Sequence, residues 1–329
     1  MRGTLGILIV LAAALIVTGC GVGERAEEPQ SAASASTEAE QEAGEQPAAT
    51  GTRSGVGRGV PPVLRRTLVR PPRPPRTADA AAGWLTAAER AIGDPATSPE
   101  VLRAAGRVQQ VVYRRVAERR RWDEDVISAL PRALRSVVRA NLDSRREFLA
   151  LQGDRPSDTL PAWRIVEPEP AAELRRHYRA AERRFGVDWE YLAAINLVET
   201  GMGRIRGTSV ADARGPMQFI PETWRRYGRG DIDDPRDAIM AAARYLEARG
   251  FTRRGGIPEA LYSYNNSNRY VRAVTDLAEV MQRRPRAYLG YYHWEVFFLS
   301  SAGDVRLPVG YERTEPIPVR RYLEDNPRY

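Results

Sequence analysis

The chain is short of the residues that most enzyme classes depend on. It has one cysteine, Cys20, so no internal disulfide can staple the fold. Its two histidines, His177 and His293, are far apart, and no His, Cys or carboxylate spacing suits a metal ion. No metal site and no cofactor are expected. A phosphate-cradling glycine loop is missing, as is an activated serine or cysteine nucleophile. Lysine is absent: all 50 basic residues are arginine, which reads as a compositional bias. Nor is there an apolar run long enough to cross a bilayer comfortably, because the longest, Leu5 to Val17, stops short of the ~20 residues required.

That short run follows Arg2 and reads as a signal peptide, residues 1–19. Its end, Val17-Thr18-Gly19-Cys20, resembles a bacterial lipobox. The resemblance implies cleavage before Cys20, lipid attachment to Cys20, and a protein anchored on the extracytoplasmic face of a membrane, in the cell wall or periplasmic space. A short anchor helix with an incidental cysteine is the alternative. Residues 20–76 read as a disordered Pro/Ala/Glu-rich tether, since they are too poor in apolar side chains to offset chain entropy. Pro61-Pro62 and Pro71 to Pro75 should make its last part extended and stiff. The net charge is +8, and the arginine excess is concentrated in residues 65–151. A solvated helical face accounts for that excess more simply than binding to anionic lipid or wall polymer does. For a secreted chain no nucleic-acid partner is expected.

The fold class is mainly α. Val101, Ala105, Val108, Val112 and Val116, then Val126, Leu130, Leu134, Val138 and Leu142, recur at helical spacing, with a break predicted at Pro131. Residues 77–152 are therefore expected to form a small helical domain, a spacer or packing unit. A Pro-rich linker around Trp163, residues 153–170, follows. Residues 171–285 carry a dense set of helix signals: Gly186 as a stop, Asp188 as a cap, Gly201 beyond a C-terminus, Asp234-Pro235 as a start, Pro258 as another, and Ser267 or Asn268 as a last cap. From Tyr292 the period changes to two, and Val305, Leu307 and Val309 alternate after Ser300-Ser301-Ala302-Gly303. Residues 286–329 are expected to be a β-hairpin and tail.

Chemistry concentrates around Glu199, which ends the apolar run Ala193-Ala194-Ile195-Asn196-Leu197-Val198. Leu192, Ile195, Asn196 and Glu199 share one helix face by their spacing, so the carboxyl emerges beside the core-facing side. Desolvation and the negative end of the helix both raise its pKa. A carboxyl protonated near neutral pH can donate to a glycosidic oxygen. The plain alternative is a solvated glutamate at a frayed helix end. Downstream, Gly215-Pro216-Met217-Gln218-Phe219-Ile220-Pro221 and Leu261-Tyr262-Ser263-Tyr264-Asn265-Asn266-Ser267 bring an amide, aromatics and a Tyr-Asn pair. Phe219 and Tyr264 are expected to line a cleft, Trp224 and Tyr262 to belong to the core. Hydrolytic glycosidases use a second carboxylate; Asp212 is the nearest candidate, with Glu222 and Asp231 further off.

These segments, with Asp234-Pro235-Arg236-Asp237-Ala238-Ile239, resemble in order and spacing the lysozyme-like lytic transglycosylases that cut peptidoglycan, nearest to the membrane-bound B group. The resemblance covers about residues 171–285. It implies a lysozyme-like helical catalytic domain, peptidoglycan glycan strands as substrate, Glu199 as single acid and base, and Thr200, Met217, Gln218, Phe219, Tyr264 and Asn265 around the sugar. The reaction implied is cleavage of the β-1,4 bond between N-acetylmuramic acid and N-acetylglucosamine with closure of a 1,6-anhydro ring. Two alternatives stand beside it: a hydrolytic muramidase using Asp212, and a non-catalytic wall-binding scaffold lipoprotein whose working part is residues 77–152.

Overall fold

The computed structural model describes residues 59–153, 156–209 and 212–326. The signal segment, Cys20 and most of the tether lie outside the described residues. From Val60 onward the chain is one compact unit.

Among the described residues five α-helices come first: α1 (Pro62–Val69), α2 (Ala78–Gly93), α3 (Pro99–Ala117), α4 (Asp123–Ala129) and α5 (Arg132–Leu151). Helix α1 corrects the reading of 61–76 as extended tether. Pro62 is tolerated in its first turn, where no amide hydrogen is needed, and Val63, Leu64 and Thr67 are buried. Thr77 and Ser98 start α2 and α3 by accepting the backbone N–H of Ala80 at 3.2 Å and of Val101 at 3.4 Å. Pro131 separates α4 from α5, as its missing N–H requires.

The expected linker is built into the structure. Its strands β1 (Thr159–Leu160) and β2 (Arg164–Ile165) precede α6 (Ala171–Phe185) and α7 (Trp189–Thr200). Then come β3 (Ile205–Arg206), α8 (Pro221–Tyr227), α9 (Pro235–Ala248), α10 (Ile257–Tyr264), α11 (Asn268–Arg283) and α12 (Ala287–Tyr292). Strands β4 (Val296–Ser300) and β5 (Gly303–Leu307) form the hairpin, and β6 (Ile317–Pro318) and α13 (Val319–Asp325) close the chain. All three strand pairs are antiparallel: β1 with β6, β2 with β3, β4 with β5. Tyr292 belongs to α12 rather than to the hairpin, because the helix continues to the residue before His293.

Helix α7 is the axis of the larger core. Trp189, Leu192, Ala193, Ala194, Ile195, Asn196 and Thr200 all have negligible exposure. The expected single apolar face is thus replaced by burial on every side, the condition of a central helix. It is surrounded by α6, α9, α11 and α12.

The N-terminal helices are not a separate domain. Helix α5 lies along α11, and the buried Ser144 hydroxyl donates to the Ala273 carbonyl at 2.9 Å. Leu289 and Trp294 pack against both the core around α7 and the core of α1 to α5. Helices α3 and α12 cross at two glycines: a Cβ on Gly106 would sit 2.6 Å from the Gly290 carbonyl oxygen. Buried Glu89 accepts from Gln109 and Tyr113, each at 2.8 Å, and meets Arg284 at 3.4 Å. A buried charge is tolerable only when paired and hydrogen-bonded in this way. These contacts span sequence separations that no local pattern reveals.

Candidate active site

Glu199 occupies the last turn of α7, and Gly201 terminates the helix in the left-handed conformation, φ 62°. Its side chain is 1% exposed. Oε1 accepts a hydrogen bond from the Tyr270 hydroxyl at 2.8 Å. Oε2 is buried without a hydrogen-bond partner. Burial pushes the carboxyl up to about 8, with the Tyr270 hydrogen bond pulling in the opposite direction. At neutral pH Glu199 is therefore a protonated acid with one oxygen fixed and the other uncommitted. Tyr270 itself is held well above the usual tyrosine range by burial and by the neighbouring Glu199, so it remains a donor.

The segment after α7 is tied to it by polar contacts in the core. The Asn196 side-chain amide and the Thr200 hydroxyl both donate to the Pro216 carbonyl at 2.7 Å. Tyr178 donates to Asn196 Oδ1 at 2.6 Å, and the Gly203 amide donates to Thr200 Oγ1 at 3.0 Å. Arg214 and Phe219 exchange two backbone hydrogen bonds of 2.9 Å, closing a tight turn. Gly215 must be glycine there: φ is 73° and a Cβ would collide with the Ile232 carbonyl. Gln218 takes a positive φ of 51°, and its side-chain amide donates to the Gly215 carbonyl at 3.0 Å. The Tyr264 hydroxyl donates to the Met217 carbonyl at 2.7 Å. Thus Glu199, the 215–219 turn and the end of α10 converge.

Several side chains serve differently from expectation. Thr200 is fully buried and braces the Pro216 turn. Met217, Phe219 and Tyr264 have negligible exposure, and Phe219 packs edge-on against Trp224 and Tyr264. They support the site from behind rather than present a wall to solvent. Tyr262, expected in the core, is 40% exposed. Gln218 and Asn265 are buried but polar, with exposures of 5% and 7%. Asp212 is exposed, sits at φ 57°, and pairs with Arg214 at 3.2 Å. Asp188 starts α7 without a side-chain cap; its carboxylate accepts from Gln282 at 3.3 Å instead.

Tyr270 was not singled out by sequence reasoning. Its signal is its place: three residues after the Ser267 cap, in the first turn of α11, where the helix N-terminus meets the end of α7.

Residues 176–282 match the family model described as the transglycosylase SLT domain. The segment is a transglycosylase SLT domain. Its mainly helical, lysozyme-like fold agrees with that, and the small β4–β5 hairpin follows it in the chain. The chain is similar to the membrane-bound lytic murein transglycosylase F of Thiobacillus denitrificans, 38% identical over 79 residues, which is 24% of this chain and 17% of that protein. It is also similar to the protein of the same name from Nitrosospira multiformis, 31% identical over 123 residues, 36% of this chain and 26% of that one. The matches thus span about a sixth to a quarter of these relatives' own length. No solved structure matches. The finer likeness to the B group rests on the sequence motifs. Glu199, the 215–219 turn, Tyr264, Asn265 and Tyr270 all fall inside the SLT domain; α1 to α5 lie outside it.

Proposed function

We propose that the chain is a peptidoglycan lytic transglycosylase in which Glu199 acts as the single acid and base. The observation that carries this reading is the asymmetry of the Glu199 carboxyl: Oε1 is held by Tyr270, Oε2 is buried and unpartnered, and burial keeps the group protonated near neutral pH. A neutral acid in a dry setting is suited to protonating a leaving oxygen.

In this mechanism the Glu199 proton passes to the glycosidic oxygen as its bond to the muramoyl anomeric carbon breaks. The resulting carboxylate takes the proton of the same sugar's 6-hydroxyl, whose oxygen attacks the anomeric carbon. A 1,6-anhydro ring closes and Glu199 regains its proton, so water is not consumed. Tyr270 steadies the carboxylate between the two transfers. Gln218 and Asn265 supply polar groups for the sugar, the turn behind them being fixed by Thr200 and Tyr264. The names of the relatives speak of murein and of a membrane, which supports peptidoglycan as substrate and membrane attachment; lipidation of Cys20 is the anchor we infer.

Hydrolysis through Asp212 has less support, because that carboxylate is exposed and engaged with Arg214. Among the described residues, Glu89 and Glu199 are the two buried carboxyls, and only Glu199 lies in the SLT domain. The test is mass spectrometry of products from purified peptidoglycan, with the mature chain and its Glu199→Gln variant. Glu199-dependent products ending in 1,6-anhydromuramic acid are expected. Reducing muramic ends would instead transfer the chemistry to hydrolysis and to Asp212. Absence of any Glu199-dependent product would favour a wall-binding scaffold.

A further inference from the structure

A cavity of about 160 Å³ lies between α3, α5, α7 and the hairpin. Val198 and Gly201, which bracket the Glu199-Thr200 pair, form part of its lining, and so do Arg145 and Gln152 of α5 and the residue that follows it. Trp163, Trp294 and Phe297 supply aromatic walls. Three polar atoms of its lining are buried with no hydrogen-bond partner: Arg145 Nε, Arg145 Nη2 and Gln152 Oε1. Two need an acceptor and one needs a donor.

Asp304 and Glu118 are the carboxylates that favour the Arg145 cation, and neither accepts a hydrogen bond from its Nε or Nη2. Asp304 accepts from Arg114 Nε and Nη2 side-on, one to each oxygen, which leaves Arg145 Nη2 3.8 Å away, beyond hydrogen-bond reach. Glu295 is paired with Arg107 at 3.2 Å and Arg306 at 3.1 Å. Arg114 is turned over the Phe297 ring, 4.6 Å from its centroid, which further commits it. Burial, with Arg114 alongside, lowers Arg145 to about 9, and it stays a cation at neutral pH. Two buried guanidinium nitrogens without a hydrogen-bond partner are an expensive feature in a finished fold, even with Asp304 3.8 Å away as a counter-charge. Donor, acceptor and aromatic faces together fit a ligand carrying a carboxylate, an amide N–H and short aliphatic parts. That is the chemistry of an acidic peptide.

We propose that this cavity receives the stem-peptide arm of the muramoyl unit, with Arg145 binding a peptide carboxylate and Gln152 Oε1 accepting an amide N–H. The proposal rests on peptidoglycan being the substrate. It gives α5, which lies outside the SLT domain, a part in recognition: peptide-bearing strands would be held beside the helix end that carries Glu199.

The test uses the mature chain carrying Glu199→Gln, titrated calorimetrically with N-acetylmuramoyl-L-alanyl-D-isoglutamine and, separately, with chitotetraose, which lacks the arm. Saturable binding of the muramoyl peptide is expected. Arg145→Met should weaken it about tenfold or more, the loss of a charge-assisted hydrogen bond, while leaving chitotetraose unchanged. Gln152→Leu, which removes the acceptor and keeps Arg145, is the second variant, expected to weaken the same ligand alone. With Glu199 restored, Arg145→Met should lower kcat/KM on intact peptidoglycan and not on glycan stripped of its peptides by an amidase. Both variants are compared by thermal melting, so a folding defect shows as loss of chitotetraose binding as well. If both bind the muramoyl peptide as the parent does, or if no form binds it while anhydro products still form, the cavity holds water only and the proposal is overturned. Failure of the parent to release anhydro products would overturn the catalytic reading instead, through a separate measurement.

Discussion

The Tyr270 hydroxyl donates to Glu199 Oε1 across 2.8 Å, joining the first turn of α11 to the last turn of α7. Because α5 lies along the back of α11, the helix that presents Tyr270 is itself positioned from outside the SLT domain. Removing the hydroxyl should thus disturb chemistry far more than packing. Tyr270→Phe is expected to lower kcat by roughly 10- to 100-fold, the worth of a hydrogen bond to a charged group. It should also move the alkaline limb of the pH–rate profile upward, because the bond now pulls the Glu199 pKa down. An unchanged profile would reduce Tyr270 to a structural residue.

Activity should be limited on the alkaline side by Glu199. The acid form is required to begin the reaction, and its pKa is about 8. The rate on soluble glycan strands is expected to be flat from pH 6 to 7 and to fall about tenfold per unit well above pH 8. A profile falling already through pH 5 would show that the carboxyl ionises early and that the buried-acid mechanism is wrong.

The same group predicts a stability effect of definite sign. Unfolded, the carboxyl ionises near 4.5; folded, near 8. Between these values the unfolded chain sheds the proton while the folded one keeps it, so stability falls as pH rises from 4.5 to 8 and then levels off. Full ionisation corresponds to a penalty on the order of 5 kcal/mol. Glu199→Gln should consequently melt higher than the parent at pH 8, with the advantage shrinking to little at pH 4. Calorimetric melts at the two pH values decide it.

Asp212→Asn should leave the rate within about threefold and the products unchanged, since an exposed carboxylate paired with Arg214 contributes little. A loss of several hundredfold would reinstate a second-carboxylate mechanism.

The crossing of α3 and α12 admits no side chain. Gly106→Ala should destabilise the chain by about 1–3 kcal/mol, the usual range for overpacking, because the obstacle is the Gly290 backbone rather than a movable side-chain tip. Thermal unfolding measures this, and a single transition for the whole compact unit is expected in both proteins.

What the sequence revealed and what it hid divide along one physical line. Local chemistry was readable: Asp234 and Ser267 cap their helices, Gly186 and Gly201 end theirs, Pro131 parts α4 from α5, and the alternation at 296–307 gives the hairpin. Glu199 stood out because a carboxylate closing an apolar helix is conspicuous. The proline flanks of α1 suggested extended chain, and the helix forms only because Leu64 finds a core supplied by α2 and α3. Phe219 and Tyr264 read as cleft residues since aromaticity alone does not say which side of a turn a ring occupies. Tyr270, the Gly106–Gly290 crossing and the Arg145–Gln152 cavity all depend on residues distant in the chain, and no periodicity encodes such meetings.

The paired glycines also bear on modularity. The α12 surface is notched to fit the neighbouring α3, and its backbone passes where an ordinary side chain would stand. A chimera that moved the SLT segment and α12 onto another protein's N-terminal region would carry that notch without the helix that fills it. The SLT segment is therefore not freely interchangeable with its relatives, and exchange succeeds only when α3 and α12 travel together.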